Sequence, residues 1–293
     1  MATKIILLTG PTGVGKTEQA LAIARLLQTP VINCDSRQIY KELNIGVARP
    51  SREQLAAVKH YFVASHTIHQ SYSAGDYERE AWDLVMRLAP SHKYLLMAGG
   101  SGLYADAFVK GFDPLPLPDA QLRKQLALQA EDPLGWEALR MRLKELDPVT
   151  YNRIDLDNKR RVVRAVEVCV LSGKPYHSFL SRIPRKRPFE IEHLMMTKPR
   201  EELYSRINQR VDIMLQAGLV EEARTLHKFK KLPALQTVGY RELFDYFEGK
   251  TTLDHAADLI RRNTRRYAKR QMTYWRDVPA VKDHPLLRPD PVL

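Results

Sequence analysis

The stretch Lys4-Ile-Ile-Leu-Leu-Thr-Gly-Pro-Thr-Gly-Val-Gly-Lys-Thr17 decides the fold. Lys4 to Thr9 is an apolar run of strand length. It leads without a spacer into Gly10-Pro11-Thr12-Gly13-Val14-Gly15-Lys16-Thr17, which reads GxxxxGK[ST]. Beyond it Ala20, Leu21, Ala24 and Leu27 fall on one stripe with Ile23 beside it, as in a helix packed on a sheet. Strand, glycine loop and helix therefore occur in the order a phosphate site requires. The glycines let successive backbone N–H groups converge on an anion, and the helix N-terminus adds partial positive charge. Lys16 supplies a full charge, and the Thr17 hydroxyl can hold Mg²⁺.

A P-loop hydrolase normally adds a second strand that ends in an Asp near the metal. The apolar run that meets an Asp promptly is Val31-Ile32-Asn33-Cys34-Asp35, whereas Tyr94 to Ala98 ends in the tight turn Gly99-Gly100-Ser101-Gly102. Ligands of open α/β sheets bind at the carboxyl ends of the strands, so Thr9/Gly10, Asp35 and Ser101 are expected to share one cleft. Asp35 fits a metal ligand, a general base or a cap for the segment that opens with Ser36-Arg37-Gln38. A hydroxyl at Ser101, able to orient a nucleophile, favours the base.

The chain has 293 residues, 44% hydrophobic and 27% charged, with a net charge of +12. That composition excludes disorder and collagen-like repeats, and the length suggests about two domains. Its longest apolar runs fall far short of the roughly 18 residues needed to cross a bilayer, and no signal segment opens the chain. A cytosolic protein without membrane association is expected. Cys34 and Cys169 lack metal-ligand spacing and read as small buried hydrophobes.

The excess charge is clustered. Arg261 to Arg276 holds Arg261, Arg262, Arg265, Arg266, Lys269, Arg270 and Arg276 and no acid, and at 100° per residue all seven lie in one half of the wheel. The other half carries Ile260, Thr264, Tyr267, Ala268, Gln271, Tyr274 and Trp275, a face suited to docking on the body of the protein. Lys159, Arg160, Arg161 and Arg164 open a second helix, capped by Asn158, stopped at Ser172-Gly173 and burying Val162, Val166, Cys169 and Val170. Arg185-Lys186-Arg187 forms a third group in a loop. So many cations without nearby acids point to phosphates of a nucleic acid as counterions.

Asp113-Pro114-Leu115-Pro116-Leu117-Pro118 reads as a hinge. Beyond it Asp119 to Ala130, Pro133 to Leu146 and Asn158 to Ser172 are helical, and no β-branched strand run occurs before Ile191 to Met196. The expected fold is α/β: a P-loop NTPase-like core with a parallel sheet flanked by helices, formed by 1–115 and 190–293, and an all-helical insertion at 116–189. Helices resume at Arg200 to Ala217 and, after the Gly218 break, at Val220 to Lys230.

Six ordered blocks now resemble the bacterial tRNA dimethylallyltransferases, the tRNA isopentenyltransferase or IPP transferase family. They are Gly10 to Thr17, Asp35-Ser36-Arg37-Gln38-Ile39-Tyr40, Gly99-Gly100-Ser101-Gly102-Leu103-Tyr104, Arg164-Ala165-Val166-Glu167-Val168, Val238-Gly239-Tyr240-Arg241 and Thr264 to Gln271. The resemblance implies transfer of a dimethylallyl group from its diphosphate to N6 of the adenosine immediately 3′ of the anticodon, by a cytoplasmic, monomeric enzyme using Mg²⁺. Gly10, Pro11, Thr12, Gly13, Val14, Gly15, Lys16 and Thr17 resemble the diphosphate cradle, with Thr17 on Mg²⁺ and Arg210 as an additional diphosphate cation. Asp35 resembles the base and Ser101 stands where the family more often has Thr. Stretches matching tRNA contacts are Asp35 to Gln38; Ser101; Arg123; Arg160, Arg161, Val162, Val163 and Arg164; and Gln236, Thr237, Val238, Gly239, Tyr240 and Arg241. The family commonly reads Gln-Arg where this chain reads Arg160-Arg161.

The chemistry agrees with the resemblance. An aromatic amine is a poor nucleophile, so the site needs cationic stabilisation of an allylic leaving group more than a strong base. It also needs a splayed-out nucleotide. ATP is not required by this reaction, although the loop invites a nucleotide-binding label. Three other readings fit parts of the pattern: a small P-loop kinase or NTPase, an isopentenyltransferase acting on free adenine nucleotides, and an RNA-binding module with a relic P-loop.

Overall fold

In the computed structural model, which describes residues 3–113, 115–180, 187–279 and 284–291, the apolar run forms β1 (Lys4–Thr9) and the glycine loop hands the chain to α1 (Lys16–Leu26). Strands and helices then alternate through β2 (Val31–Asn33), α2 (Arg52–Ala57), β3 (His60–Tyr61), α3 (Ala74–Leu88), β4 (Tyr94–Ala98) and α4 (Gly102–Lys110). Four helices follow: α5 (Ala120–Gln129), α6 (Pro133–Leu146), α7 (Pro148–Tyr151) and α8 (Lys159–Ser172). The chain returns through β5 (Glu190–Met195) to α9 (Arg200–Gln216), α10 (Leu219–Leu226), α11 (Tyr240–Phe247) and α12 (Leu253–Tyr274).

All five strands are parallel, in the order β3-β2-β4-β1-β5. Parallel pairing needs crossover connections, which here place helices on both faces and demand strands apolar on both sides. β1 satisfies this. Ile5 and Leu7 pack with Tyr77, Ala81 and Val85 of α3 and Phe108 of α4. Ile6 and Leu8 pack with Ala20, Ile23 and Ala24 of α1. A further core joins Ile39 and Leu43 to α9 through α12 around the buried Tyr240 and Leu243. Both cysteines are free and buried, as their apolar settings suggest.

The chain divides into two compact units, Met1–Val109 with Lys186–Leu293, and Lys110–Arg185. In the second unit each helix has a side-chain cap. Asp119 accepts from Leu122 N, Asp132 from Gly135 N and Asn158 from Arg161 N, while Gly173 ends α8 at φ 65°. Its core gathers Leu126, Leu139, Leu143, Val162, Val163 and Val166. Val170, expected in that core, is exposed, because the cluster with α5 and α6 takes α8 residues only as far as Val166.

The short helix α7 has no periodic signal and was not anticipated; it exists because Asp147 caps it. This carboxylate is fully buried and accepts from Thr150 N at 2.9 Å, Thr150 Oγ1 at 2.5 Å, His177 N at 2.8 Å and His177 Nδ1 at 2.7 Å. Burial pushes its pKa up, and the bonds from Thr150 and His177 outweigh that and hold it below the ordinary value. Asp147→Ala should cost about 3 kcal/mol in chemical denaturation, since several buried donors lose their acceptor. A depressed native pKa means the contribution is present above the ordinary aspartate range and is lost as pH falls through the lower native value. A wild-type-like midpoint for the variant would contradict the assignment.

Candidate active site

Three strand ends bring the site together. Gly10 turns sharply out of β1 with φ 148°, and a Cβ there would lie 2.6 Å from Met196 O. At the end of β4, a Cβ on Gly99 would lie 2.5 Å from the Cys34 carbonyl carbon, so only glycine lets this turn press against the end of β2. That contact delivers Ser101 to the start of the Asp35 segment: Ser101 Oγ accepts from Ser36 N at 2.9 Å and donates to Ser36 Oγ at 3.0 Å. Convergence of the glycine loop, Asp35 and Ser101 at the carboxyl edge of the sheet is thus observed.

Asp35 takes one of its three expected roles, the cap, and also faces a cavity. Oδ1 caps the following turn, accepting from Arg37 N at 2.8 Å and Gln38 N at 3.3 Å. The residue also lines a cavity of about 510 Å³ shared with Lys16, Thr17, Arg206 and Arg210. A second cavity, about 370 Å³, is bordered by Arg37, Thr237, Val238, Gly239, Arg241 and Arg270. Thr12, Asp35, Arg210 and Tyr267 line both, so these residues form the wall between the two cavities. Two substrates approaching from the two cavities would meet at Asp35.

The cations of the first cavity are held by the glycine loop itself. Lys16 Nζ donates to Gly10 O at 2.8 Å and Pro11 O at 2.9 Å. Arg206 Nε donates to Gly13 O at 2.9 Å, and Arg210 donates to Thr12 Oγ1 at 2.7 Å. Arg210 has no carboxylate partner among the described residues, and its buried Nε has no hydrogen-bond partner there. A part-buried guanidinium with its Nε shielded from solvent and no ion-pair partner is favoured by an anion that completes it. Burial lowers the Arg210 pKa, with Asp35 opposing and Arg206 reinforcing. Burial likewise pulls Lys16 down to about 8, opposed by Asp35 and reinforced by Arg210.

The Lys16 shift carries a pH signature. An anion bound beside Lys16 raises its pKa, so binding above about pH 8 takes up a proton. Diphosphate affinity should be flat just below pH 8 and should fall above it by up to about tenfold per pH unit. Calorimetry in buffers of different ionisation enthalpy reads the proton uptake, and a flat profile from pH 7.5 to 9.5 would count against Lys16 as a ligand of the anion.

The expected RNA-contact residues divide. Gln236, Thr237, Val238, Gly239 and Arg241 border the second cavity, brought there by Arg37, which donates to the carbonyls of Pro233 and Ala234 at 3.1 and 3.0 Å. Gln38 turns inward to Val47 O and Ala48 O. Tyr240 is a correction. Its ring is buried in the core and its hydroxyl donates to Glu222 Oε1 at 2.6 Å, so its side chain cannot touch RNA. Val162 and Val163 are corrections for the same reason, being packed in the core of the second unit.

Several cations are also less free than the linear reading suggested. Arg123 and Arg164 both bind Glu167, which is fully buried, each with a 2.8 Å contact. Lys159 donates to Ala130 O and lies over Trp136. On α12, Arg261 pairs with Asp212 of α9 and with Asp258, while Arg265 donates to Asn208 Oδ1. Arg187 is internal: it pairs with Glu78 at 3.1 Å and stacks on Trp82. Arg185 and Lys186 lie outside the described residues. Exposed and without an acid partner among the described residues are Arg160 and Arg161 in the second unit, and Arg262, Arg266, Lys269 and Arg270 at the end of the first, while exposed Arg276 pairs with Asp277.

Tyr267 and Gln271 are site residues that the reading of motifs passed over, counting them only as part of an apolar docking face. Tyr267 lies beside Ser101, and burial pushes its hydroxyl up to about 12. Gln271, buried, bonds to both the glycine loop and the Gly99-Gly100-Ser101 turn. A glutamine on the apolar side of a helix is itself a signal, since an amide is placed in a core only where it has partners.

Known proteins place this architecture. The chain is 45% identical over 277 residues to tRNA dimethylallyltransferase 2 of Parabacteroides distasonis, covering 94% of this chain and 92% of that one. It is 45% identical over 286 residues to tRNA dimethylallyltransferase 1 of Phocaeicola vulgatus, covering 97% and 95%. Among solved structures, a tRNA isopentenylpyrophosphate transferase from Bacillus halodurans superposes with a TM-score of 0.66 at 33% identity, over 94% of this chain and 87% of that one. A eukaryotic dimethylallyltransferase acting on tRNA shares the fold, with a TM-score of 0.79 at 23% identity, over 94% and 70%. The profile of the IPP transferases matches residues 38–278, a span that begins inside the Asp35 segment and runs through α12. The chain therefore belongs to the IPP transferase family.

Proposed function

We propose that the protein transfers a dimethylallyl group from dimethylallyl diphosphate to N6 of the adenosine 3′-adjacent to the anticodon in tRNA, releasing diphosphate. The observation that carries the reading is Arg210, a part-buried cation with no ion-pair partner among the described residues and an unpartnered Nε, beside Lys16 at the wall where the two cavities meet Asp35. The diphosphate occupies the first cavity against the glycine loop, Lys16 and Arg210. The adenosine enters from the second, past Thr237, Val238 and Gly239. N6 attacks the allylic carbon, the carbon–oxygen bond to diphosphate breaks, and a proton of N6 passes to the Asp35 carboxylate while Ser101 and Tyr267 orient the amine.

The residues present suit Mg²⁺ carried with the diphosphate. Among the described residues no group of three His, Cys, Asp or Glu side chains could cage a metal, whereas Thr17 lines the first cavity in the first turn of α1. One protein oxygen with phosphate and water completing the shell is a donor set that Mg²⁺ favours. Bound there, it would neutralise charge developing on the leaving group.

Exposed Arg262, Arg266, Lys269 and Arg270 supply the electrostatic grip on RNA. Arg262→Ala combined with Arg266→Ala should reduce the slope of log affinity for tRNA against log salt by about one per lost phosphate contact. An unchanged slope would return these residues to a solvated surface. No helix among the described residues is long and apolar enough to cross a membrane, and the enzyme is proposed to work in the cytoplasm as a monomer.

The reading is tested by incubating the protein with unmodified tRNA, dimethylallyl diphosphate and Mg²⁺. Mass gain on the anticodon-loop adenosine is expected. Prenylation of AMP in preference to tRNA would move the activity to free nucleotides. Turnover of ATP without prenylation would make the protein a kinase or NTPase.

A further inference from the structure

The ladder between β1 and β4 ends where Gly99 N donates to Leu8 O at 3.1 Å. Past that bond the glycine loop and the Ser101 turn are no longer paired to each other. Gln271 of α12 continues the connection. Its Oε1 accepts from Thr12 N at 2.8 Å and its Nε2 donates to Gly100 O at 2.7 Å. The fit is closed, since a Cβ on Gly100 would lie 2.6 Å from Gln271 Nε2. Thr12 in turn accepts from Arg210 at 2.7 Å through its hydroxyl. A continuous string therefore runs from Arg210, on the leaving-group side, through Thr12 and Gln271 to the peptide next to Ser101, on the acceptor side.

One side of the gap offers an N–H and the other a carbonyl, so the bridging side chain must donate and accept at once. A carboxylate cannot donate, and an apolar side chain does neither. The bond to Gly100 O is buried and that from Thr12 N is part-buried, which makes either one costly to leave unmade. The terminal amide makes both contacts, Oε1 on one side and Nε2 on the other, so a side chain one methylene shorter draws both atoms back from their partners. Neighbouring residues fix the helix that carries it: Tyr267 lies beside Ser101, and the Tyr274 hydroxyl donates to Asp106 Oδ2 at 2.5 Å.

We propose that Gln271 is a positioning residue for the transfer step, setting the separation between the diphosphate loop and the turn that presents the acceptor amine. The inference rests on the prenyl transfer proposed above. Displacement at carbon is steep in distance, and a misplacement of about 1 Å costs roughly a hundredfold in rate. The cationic loop remains able to draw off diphosphate when the acceptor is out of reach. Solvent water then takes the allylic carbon: the bond to diphosphate breaks, a bond to the water oxygen forms, and a water proton goes to solvent, giving dimethylallyl alcohol and diphosphate.

Gln271→Met keeps the length without the hydrogen bonds, and Gln271→Asn keeps the amide one methylene short. Diphosphate release and prenyl groups on tRNA are counted in the same reaction. Wild-type enzyme should give one diphosphate per prenyl group. Both variants should transfer roughly a hundredfold more slowly and release several diphosphates per prenyl group. Because the ratio is taken on the same active molecules, partial unfolding does not move it. A ratio that stays at one in either variant overturns the inference, whatever the loss of activity. Wild-type enzyme that leaves tRNA unprenylated removes the proposed function itself, and this inference with it.

Discussion

Asp35→Asn should lower the rate of prenyl transfer by roughly a thousandfold, within the range that loss of a positioned base produces, while tRNA affinity stays near the wild-type value. Asparagine is the informative replacement because Asp35 does two things. Its Oδ1 caps the turn that carries Ser36, Arg37 and Gln38. An asparagine oxygen can continue to accept those two amide bonds, so the RNA-facing loop keeps its shape. What it cannot do is take a proton from N6. Single-turnover kinetics with saturating tRNA separates the two functions. Full turnover by the variant would remove Asp35 from proton transfer and leave only the cap. Asp35→Ala loses both, and the additional loss in tRNA affinity relative to asparagine measures the cap.

Arg210→Ala should reduce kcat/KM for dimethylallyl diphosphate by about 10² to 10³, the scale seen when one preorganised group that stabilises transition-state charge is removed. The guanidinium is part-buried, has no ion-pair partner among the described residues, and keeps its Nε shielded and without a partner. It is thus partly desolvated for the anion before the anion binds, so part of that cost is met in the fold rather than at each turnover. Arg210→Lys should recover only part of the loss, since a point charge cannot reproduce the planar fork that holds Thr12 and an anion together. A second consequence has a definite sign. Arg210 contributes to the depression of Lys16, so its removal should move the break in diphosphate affinity above pH 8. Affinity for the diphosphate unchanged by Arg210→Ala would place the leaving group elsewhere.

The parts of the site legible in sequence are those made by neighbours along the chain. Lys4 to Thr17 can be read because a strand, a loop rich in glycine and a helix N-terminus are all set by residues a few positions apart. The Asn158 cap and the Gly173 stop are local for the same reason. Charge was the least reliable guide. Arg261, Arg164 and Arg187 stand in basic runs, yet each is answered by an acid 49, 3 or 109 positions away. A run of like charge describes the chain and not its surroundings, and burial of Glu167 or Glu78 was invisible without the fold.

By itself the sequence determined the glycine loop between β1 and α1, the α/β class, the helical character of the insertion and the family. Backbone geometry and hydrophobic period act over a few residues, and they leave their marks in composition and spacing. Only the tertiary structure decided that Asp35 caps and faces a cavity at once, that Arg210 is part-buried with its Nε unpartnered, and that Gln271 joins two loops. Gln271 meets Thr12 across 259 positions and Gly100 across 171. Contacts at such separations are fixed by how α12 packs on the sheet edge, and no local pattern encodes them.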